Sequence, residues 1–97
     1  MERNRTMSLG SDVLPGLSKL MEEMGEVQQV CGKLVQVGGS REYWGGVDLY
    51  ERLQEELADL LCAVTFVIEH NGFDKDAIVD RVERKLELYE EWHKEQE

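Results

Sequence analysis

Proline is nearly absent from this 97-residue chain. The only one, Pro15, stands near the start, so nothing downstream of it forbids long uninterrupted helices. The two cysteines, Cys31 and Cys62, are too few for a disulfide framework, and both fall among apolar neighbours, where a free thiol is expected to act as a small buried hydrophobe. Two histidines far apart in sequence, His70 and His93, exclude a zinc site of ordinary ligand spacing. His70 reads instead as a helix-end residue, favoured by the negative end of the dipole. Basic residues are also scarce: 11 against 21 acidic ones leave a net charge of −10, which argues against non-specific binding to nucleic acid or to an anionic membrane. No apolar run reaches the length of a membrane span, and residues 1–8 lack the apolar segment of a secretory signal, so a cytoplasmic location is expected. There is no strand-to-helix glycine-rich phosphate loop, no repeat of solenoid length and no low-complexity segment.

What the chain does contain is helical periodicity. Three helices and no strands are expected: one from Ser11 or Asp12 to Val37, ended by Gly38 and Gly39, with Pro15 tolerable in its opening turn or a break at Gly16; one from Val47 or Asp48 to His70, stopped by Asn71 and Gly72; and one capped by Asp74 and running to about Lys94. Residues 1–10 read as a flexible segment and 11–97 as one all-α domain. A domain this short buries a limited share of its surface, so a helical bundle whose core is completed by association is expected, as a homodimer or homotetramer.

Two acidic motifs interrupt the apolar pattern: Glu22-Glu23-Met24-Gly25-Glu26 and Glu56-Leu57-Ala58-Asp59. Carboxylates three residues apart share one helical face and repel each other unless a cation neutralises them. At 100° per residue, Val13, Leu17, Leu20, Met24, Val27, Cys31 and Leu34 make the buried stripe of the first helix, with Glu23 and Glu26 off one edge. In the second helix the stripe is Leu49, Leu53, Leu57, Leu60, Val64, Val67 and Ile68, with Glu56 and Asp59 at the same angular offsets. Packed antiparallel, the two edges bring four carboxylates together, an oxygen-rich set suited to Mg²⁺ or Mn²⁺. Asp59 sits in a run apolar nearly all round, 57–68, which reads as the most buried helix, and an ionised carboxylate there needs a partner or a metal.

The order Glu-Glu-x-x-Glu then Glu-x-x-Asp resembles the signature of the all-α nucleoside triphosphate pyrophosphohydrolases, which include the MazG-like proteins, the dimeric dUTPases and the phosphoribosyl-ATP pyrophosphohydrolases. Lys19-Leu20-Met21 before the first motif, the leucines around the second and Asn71-Gly72-Phe73-Asp74 before the third helix look MazG-like in particular, so the resemblance covers residues 17–92. The stretch between the motifs, 27–55, is at the long end of the family pattern.

The resemblance implies a Mg²⁺-dependent hydrolase that splits a nucleoside triphosphate into the monophosphate and pyrophosphate. Glu23, Glu26, Glu56 and Asp59 would be the metal ligands and Glu22 the residue that holds or deprotonates the attacking water. Basic groups on the third helix, Lys85 first and Arg81 second, would hold phosphates, although each also reads as a long side chain reaching solvent beside the apolar face of Ile78, Val82, Leu86, Tyr89 and Trp92. Tyr43 and Trp44 read as loop anchors or as aromatic surfaces for a base. Lys19 and Lys33 read as charges that balance the acidic edge. The alternatives are a phosphoribosyl-ATP pyrophosphohydrolase and a non-catalytic acidic dimer acting as an adaptor, which would need no metal.

Overall fold

The computed structural model describes residues 14–39, 42–43 and 46–96. Its elements are α1 (Leu17–Gln36), β1 (Glu42–Tyr43), β2 (Val47–Asp48), α2 (Leu49–His70) and α3 (Lys75–Glu95). The all-α expectation holds, with one addition: β1 and β2 form a two-residue antiparallel ribbon in the connection between the first two helices, pairing Glu42 with Asp48 and Tyr43 with Val47. So short a ribbon leaves no alternating pattern to read in the sequence. The first helix begins at Leu17, at the break the sequence allowed at Gly16, because Gly16 takes a left-handed conformation (φ 93°) that no helix interior accepts. Residues 1–10, expected to be flexible, and Trp44 lie outside the described residues.

The helix ends follow the sequence signals. Asp48 caps α2 by accepting hydrogen bonds from the backbone N–H of Tyr50 (3.0 Å) and Glu51 (3.1 Å), and Asp74 caps α3 by accepting from Ala77 N–H (3.0 Å). Beyond α1, Gly39 N–H donates to the Leu34 carbonyl (2.8 Å) and Gly38 N–H to that of Val35 (3.2 Å), which occupies carbonyls the helix leaves orphaned. The Tyr50 hydroxyl donates to the Gly39 carbonyl (3.2 Å) and so ties that turn to the start of α2. At the far end, Asn71 Nδ2 donates to the Val67 carbonyl (2.8 Å) and to the Pro15 carbonyl (3.0 Å), fixing the entry to α1 beside the exit from α2.

Helices α1 and α2 form the antiparallel hairpin that holds the core: Val30 from α1 and Leu49, Ala63 and Val67 from α2 are its buried apolar residues. Buried and half-buried positions of α2 recur at Leu49, Leu53, Glu56, Leu60, Ala63 and Val67, the alternating four-and-three spacing of a helix facing one partner. This seam is only one edge of the stripes expected from the sequence. Met24, Cys31, Leu57 and Leu61 point away from it; Leu57 is 44% and Leu61 66% exposed. Cys62 is exposed as well, so neither thiol is the buried hydrophobe expected. The corrections share one cause: helical phase gives an angle for each side chain but not which sector of a wide apolar surface meets the partner helix.

Helix α3 buries no residue, and Val79, Val82, Leu86, Tyr89 and Trp92 are each about half exposed along it. Its aromatic pair, Tyr89 and Trp92, stacks within the helix itself at 5.5 Å between ring centroids.

Gly16 is the tightest point of the hairpin. A Cβ on it would lie 2.8 Å from Phe66 Cδ1 and 3.1 Å from Val67 Cγ2, at a φ that side-chain-bearing residues rarely adopt. Gly16→Ala is therefore expected to lower stability by about 2 kcal/mol, from left-handed strain plus steric overlap, without changing the helical content at low denaturant. Urea unfolding followed by circular dichroism measures this, and in a Phe66→Ala background the added cost of Gly16→Ala should fall to the backbone strain plus the contact with Val67.

Candidate metal centre

The two acidic motifs meet across the hairpin, but not as the sequence suggested. Glu23 and Glu56, expected at the edge of the stripes, are each only 6% exposed, the only charged residues buried among those described. Asp59, expected beside Glu56 at the same edge of the most buried helix, is exposed. The antiparallel seam runs between Glu23 and Glu56 and takes in Leu49, Leu53 and Leu60 of the expected stripe, but not Leu57. Asp59, three residues beyond Glu56, then stands at the rim of the hairpin.

A carboxylate oxygen from each of Glu23, Glu56 and Asp59 lies within 4.8 Å of the other two, the spacing of groups that can share one cation. Each buried acid has one oxygen in an ion pair formed one turn back along its own helix: Lys19 Nζ stands 3.3 Å from Glu23 Oε1, and Arg52 Nε donates to Glu56 Oε1 at 3.1 Å. The second oxygen of each, Glu23 Oε2 and Glu56 Oε2, is buried without a hydrogen-bond partner. Buried ionised oxygens without a donor are costly, and a hard divalent cation satisfies both at once. The donor set therefore fits Mg²⁺ or Mn²⁺, with two ligands anchored in the seam and Asp59 open to the solvent side.

Glu26 belongs to the same electrostatic cluster, outside the close trio. Its carboxyl is held above the usual range, first by a side-chain hydrogen bond with Glu56, then by desolvation and by repulsion from Glu23, Glu56 and Glu22. Lys19 shows the opposite response. Bonded to Glu23 and Glu22, its ammonium is held above the usual lysine range, the charge-balancing role expected of it. Glu22 is exposed, with Oε2 3.4 Å from Lys19 Nζ.

A cleft of about 330 Å³ opens along the same side of the hairpin. Lys19, Glu23 and Asp59 line it, together with Gly16, Cys62, Ala63 and Phe66. The last four escaped the sequence reading, although their spacing from the acids was visible: Gly16, Lys19 and Glu23 are at i, i+3 and i+7, and Asp59, Cys62, Ala63 and Phe66 at i, i+3, i+4 and i+7. Arg81 and Lys85 do not line it. They border a separate groove on α3 with Ile78, Val82, Leu86 and Tyr89.

Two outcomes follow for solution behaviour. Glu26 is a carboxyl with a raised folded-state pKa, so its contribution to stability is fully present below the unfolded-state pKa and is lost as pH rises through the folded value. Without metal, wild type should therefore lose stability relative to Glu26→Gln as pH rises from the carboxylate range toward neutrality, measured as the difference in melting temperature across a pH series. At neutral pH, Mg²⁺ at a hundredfold excess over its dissociation constant should add about 2.7 kcal/mol. Glu23→Gln and Glu56→Gln should each abolish most of that gain, with NaCl of equal ionic strength as the control for general screening.

The comparisons with known proteins agree with this geometry. The MazG nucleotide pyrophosphohydrolase domain matches residues 15–92, which takes in both acidic motifs, the cleft and most of α3. No curated protein and no solved structure matches the chain. The match covers most of the sequence, and the two motifs it contains meet in one cluster: the chain belongs to the MazG nucleotide pyrophosphohydrolase family.

Proposed function

We propose that this protein is a Mg²⁺-dependent pyrophosphohydrolase of a nucleoside or deoxynucleoside triphosphate, working in the cytoplasm and yielding the monophosphate and pyrophosphate. The observation that carries the reading is the pair of buried, partnerless oxygens, Glu23 Oε2 and Glu56 Oε2, facing the same small volume as Asp59. A protein that only bridged partners would have no use for so costly an arrangement.

In this reading Glu23, Glu56 and Asp59 hold Mg²⁺, or Mn²⁺ in its place, with Glu26 as a fourth carboxylate beside them. The bound ion supplies charge neutralisation on the phosphate oxygens. Glu22, exposed beside the trio, accepts the proton of a water whose oxygen attacks the α-phosphorus. The bond from that phosphorus to the bridging oxygen breaks, and pyrophosphate leaves with the electron pair. Lys19, already between Glu22 and Glu23, keeps both carboxylates oriented. Lys85 and Arg81 bind the departing phosphates.

Association supports this arrangement. A helix of 21 residues with none buried, like α3, is marginal by itself in water, and α1 and α2 leave Leu57, Leu61 and Met24 open on the side away from the acids. A homodimer or homotetramer covers these surfaces and brings the basic face of α3 to an acidic cleft that its own hairpin does not offer it.

Release of pyrophosphate from a panel of nucleotides with and without Mg²⁺ tests the activity. Glu56→Gln and Asp59→Asn should each lower kcat by at least about a hundredfold while the circular dichroism spectrum is kept; full activity in either removes the metal assignment. Lys85→Ala should raise KM roughly tenfold and leave the Mg²⁺ dissociation constant unchanged, the signature of a lost phosphate contact worth about 1.4 kcal/mol. In the Leu57→Glu, Leu61→Glu double variant, light scattering should report a lower mass than wild type at the same concentration. An unchanged mass places the contact between copies elsewhere.

A further inference from the structure

The two buried acids are not held in the same way. The last torsion of a glutamate side chain is broad and nearly two-fold, so a carboxylate by itself has no fixed face to offer a cation. Arg52, one turn before Glu56 on α2, removes that freedom. Its Nε–H donates to Glu56 Oε1 at 3.1 Å, and because the guanidinium is planar the bond has one direction. Glu56 Oε2 is the oxygen left over, buried and without a hydrogen-bond partner. Lys19 holds Glu23 less firmly. Its ammonium stands 3.3 Å from Glu23 Oε1 and 3.4 Å from Glu22 Oε2, so three rotatable donors are shared between two acids.

We propose that Arg52 is a positioning residue that sets the metal selectivity of the site: by holding Oε1 it limits Glu56 to one coordinating oxygen and so favours Mg²⁺ over Ca²⁺. The proposal rests on the reading of Glu23, Glu56 and Asp59 as metal ligands. Mg²⁺ takes about six oxygens in near-octahedral array at roughly 2.0–2.1 Å and needs only one from each carboxylate. Ca²⁺ takes about six to eight at roughly 2.3–2.6 Å, and bidentate carboxylates supply the extra ones. For Glu56 to become bidentate it must give up the bond from Arg52, and an ion about 2.4 Å from Oε1 would then stand beside the guanidinium charge. Arg52 thus costs Ca²⁺ a ligand and costs Mg²⁺ none. Its charge alone has no such effect, since a cation at one distance repels two divalent ions alike and weakens both together. Only the bond to Oε1 separates them.

The ratio of the Mg²⁺ and Ca²⁺ dissociation constants therefore reads the role of Arg52 without depending on turnover. The Arg52 side chain is 55% exposed and lines a polar pocket of about 100 Å³ with Glu26, Gln29 and Lys33, so in Arg52→Ala water can reach Oε1, and alanine suits a helix interior. Both constants are measured on full-length wild type, Arg52→Ala and Arg52→Lys by displacement of Mn²⁺, followed through the electron paramagnetic resonance signal of the free ion, with no nucleotide present. Wild type should bind Mg²⁺ at least as tightly as Ca²⁺. Arg52→Ala should move the ratio toward Ca²⁺ by at least about tenfold, whereas Arg52→Lys, which keeps a donor and a charge within reach of Oε1, should stay within about threefold of wild type. The role is overturned if wild type prefers Ca²⁺, a result that needs no variant to fold. It is also overturned if Arg52→Ala changes both constants in parallel, or if Arg52→Lys moves the ratio as far as Arg52→Ala does. Binding of Mn²⁺ with no change of ratio rejects the part given to Arg52 alone; wild type that binds no Mn²⁺ rejects the metal reading with it.

Discussion

Two carboxylates, Glu23 and Glu56, face each other inside the seam between α1 and α2, and most of the other described features answer that fact. Placing them there costs free energy that the hairpin recovers only in part, through Lys19 and Arg52 one turn back on the same helices. Those cations reach one oxygen of each acid and leave the other without a partner. The raised pKa of Glu26 is a second response to the same crowding. A divalent cation held there would complete what the side chains cannot, so the arrangement that weakens the metal-free fold would also be the one that gives a metal its affinity.

The hairpin is two-sided because it is only two helices thick. One side carries the carboxylates and the cleft that leads from them to Phe66; the other carries Met24, Leu57 and Leu61. The acids and the exposed apolar side chains are thereby kept on separate surfaces of the same pair of helices, and a substitution on one side need not disturb the other. Helix α3, capped by Asp74 and amphipathic but without a buried residue, has the form of an element whose partner lies outside its own hairpin.

The single proline at the entrance, the glycines after α1, the caps at Asp48 and Asp74 and the spacing of the two acidic motifs were all legible in the sequence, because each acts within one or two helical turns. These local signals were enough for three helices, for an all-α class and for the acids that meet. Which of the acids would be buried was not legible. The apolar stripes of α1 and α2 are wider than the seam either helix can form with one partner, and their centres were mistaken for the contact. The cleft was missed for the same reason: Gly16, Cys62 and Phe66 mean nothing together until Gly16 is known to pack on Phe66 from the opposite helix.

Composition, helix boundaries and the pairing of Glu23 with Glu26 and of Glu56 with Asp59 on their own helices were thus determined by the sequence alone, since backbone hydrogen bonds within one helix fix those relations. The tertiary structure decided the angle at which α1 meets α2. That angle sent Glu23 and Glu56 inward, turned Asp59 and Cys62 outward and opened the cleft between them, because a helix can satisfy its own periodicity in any orientation and only its packing partner selects one.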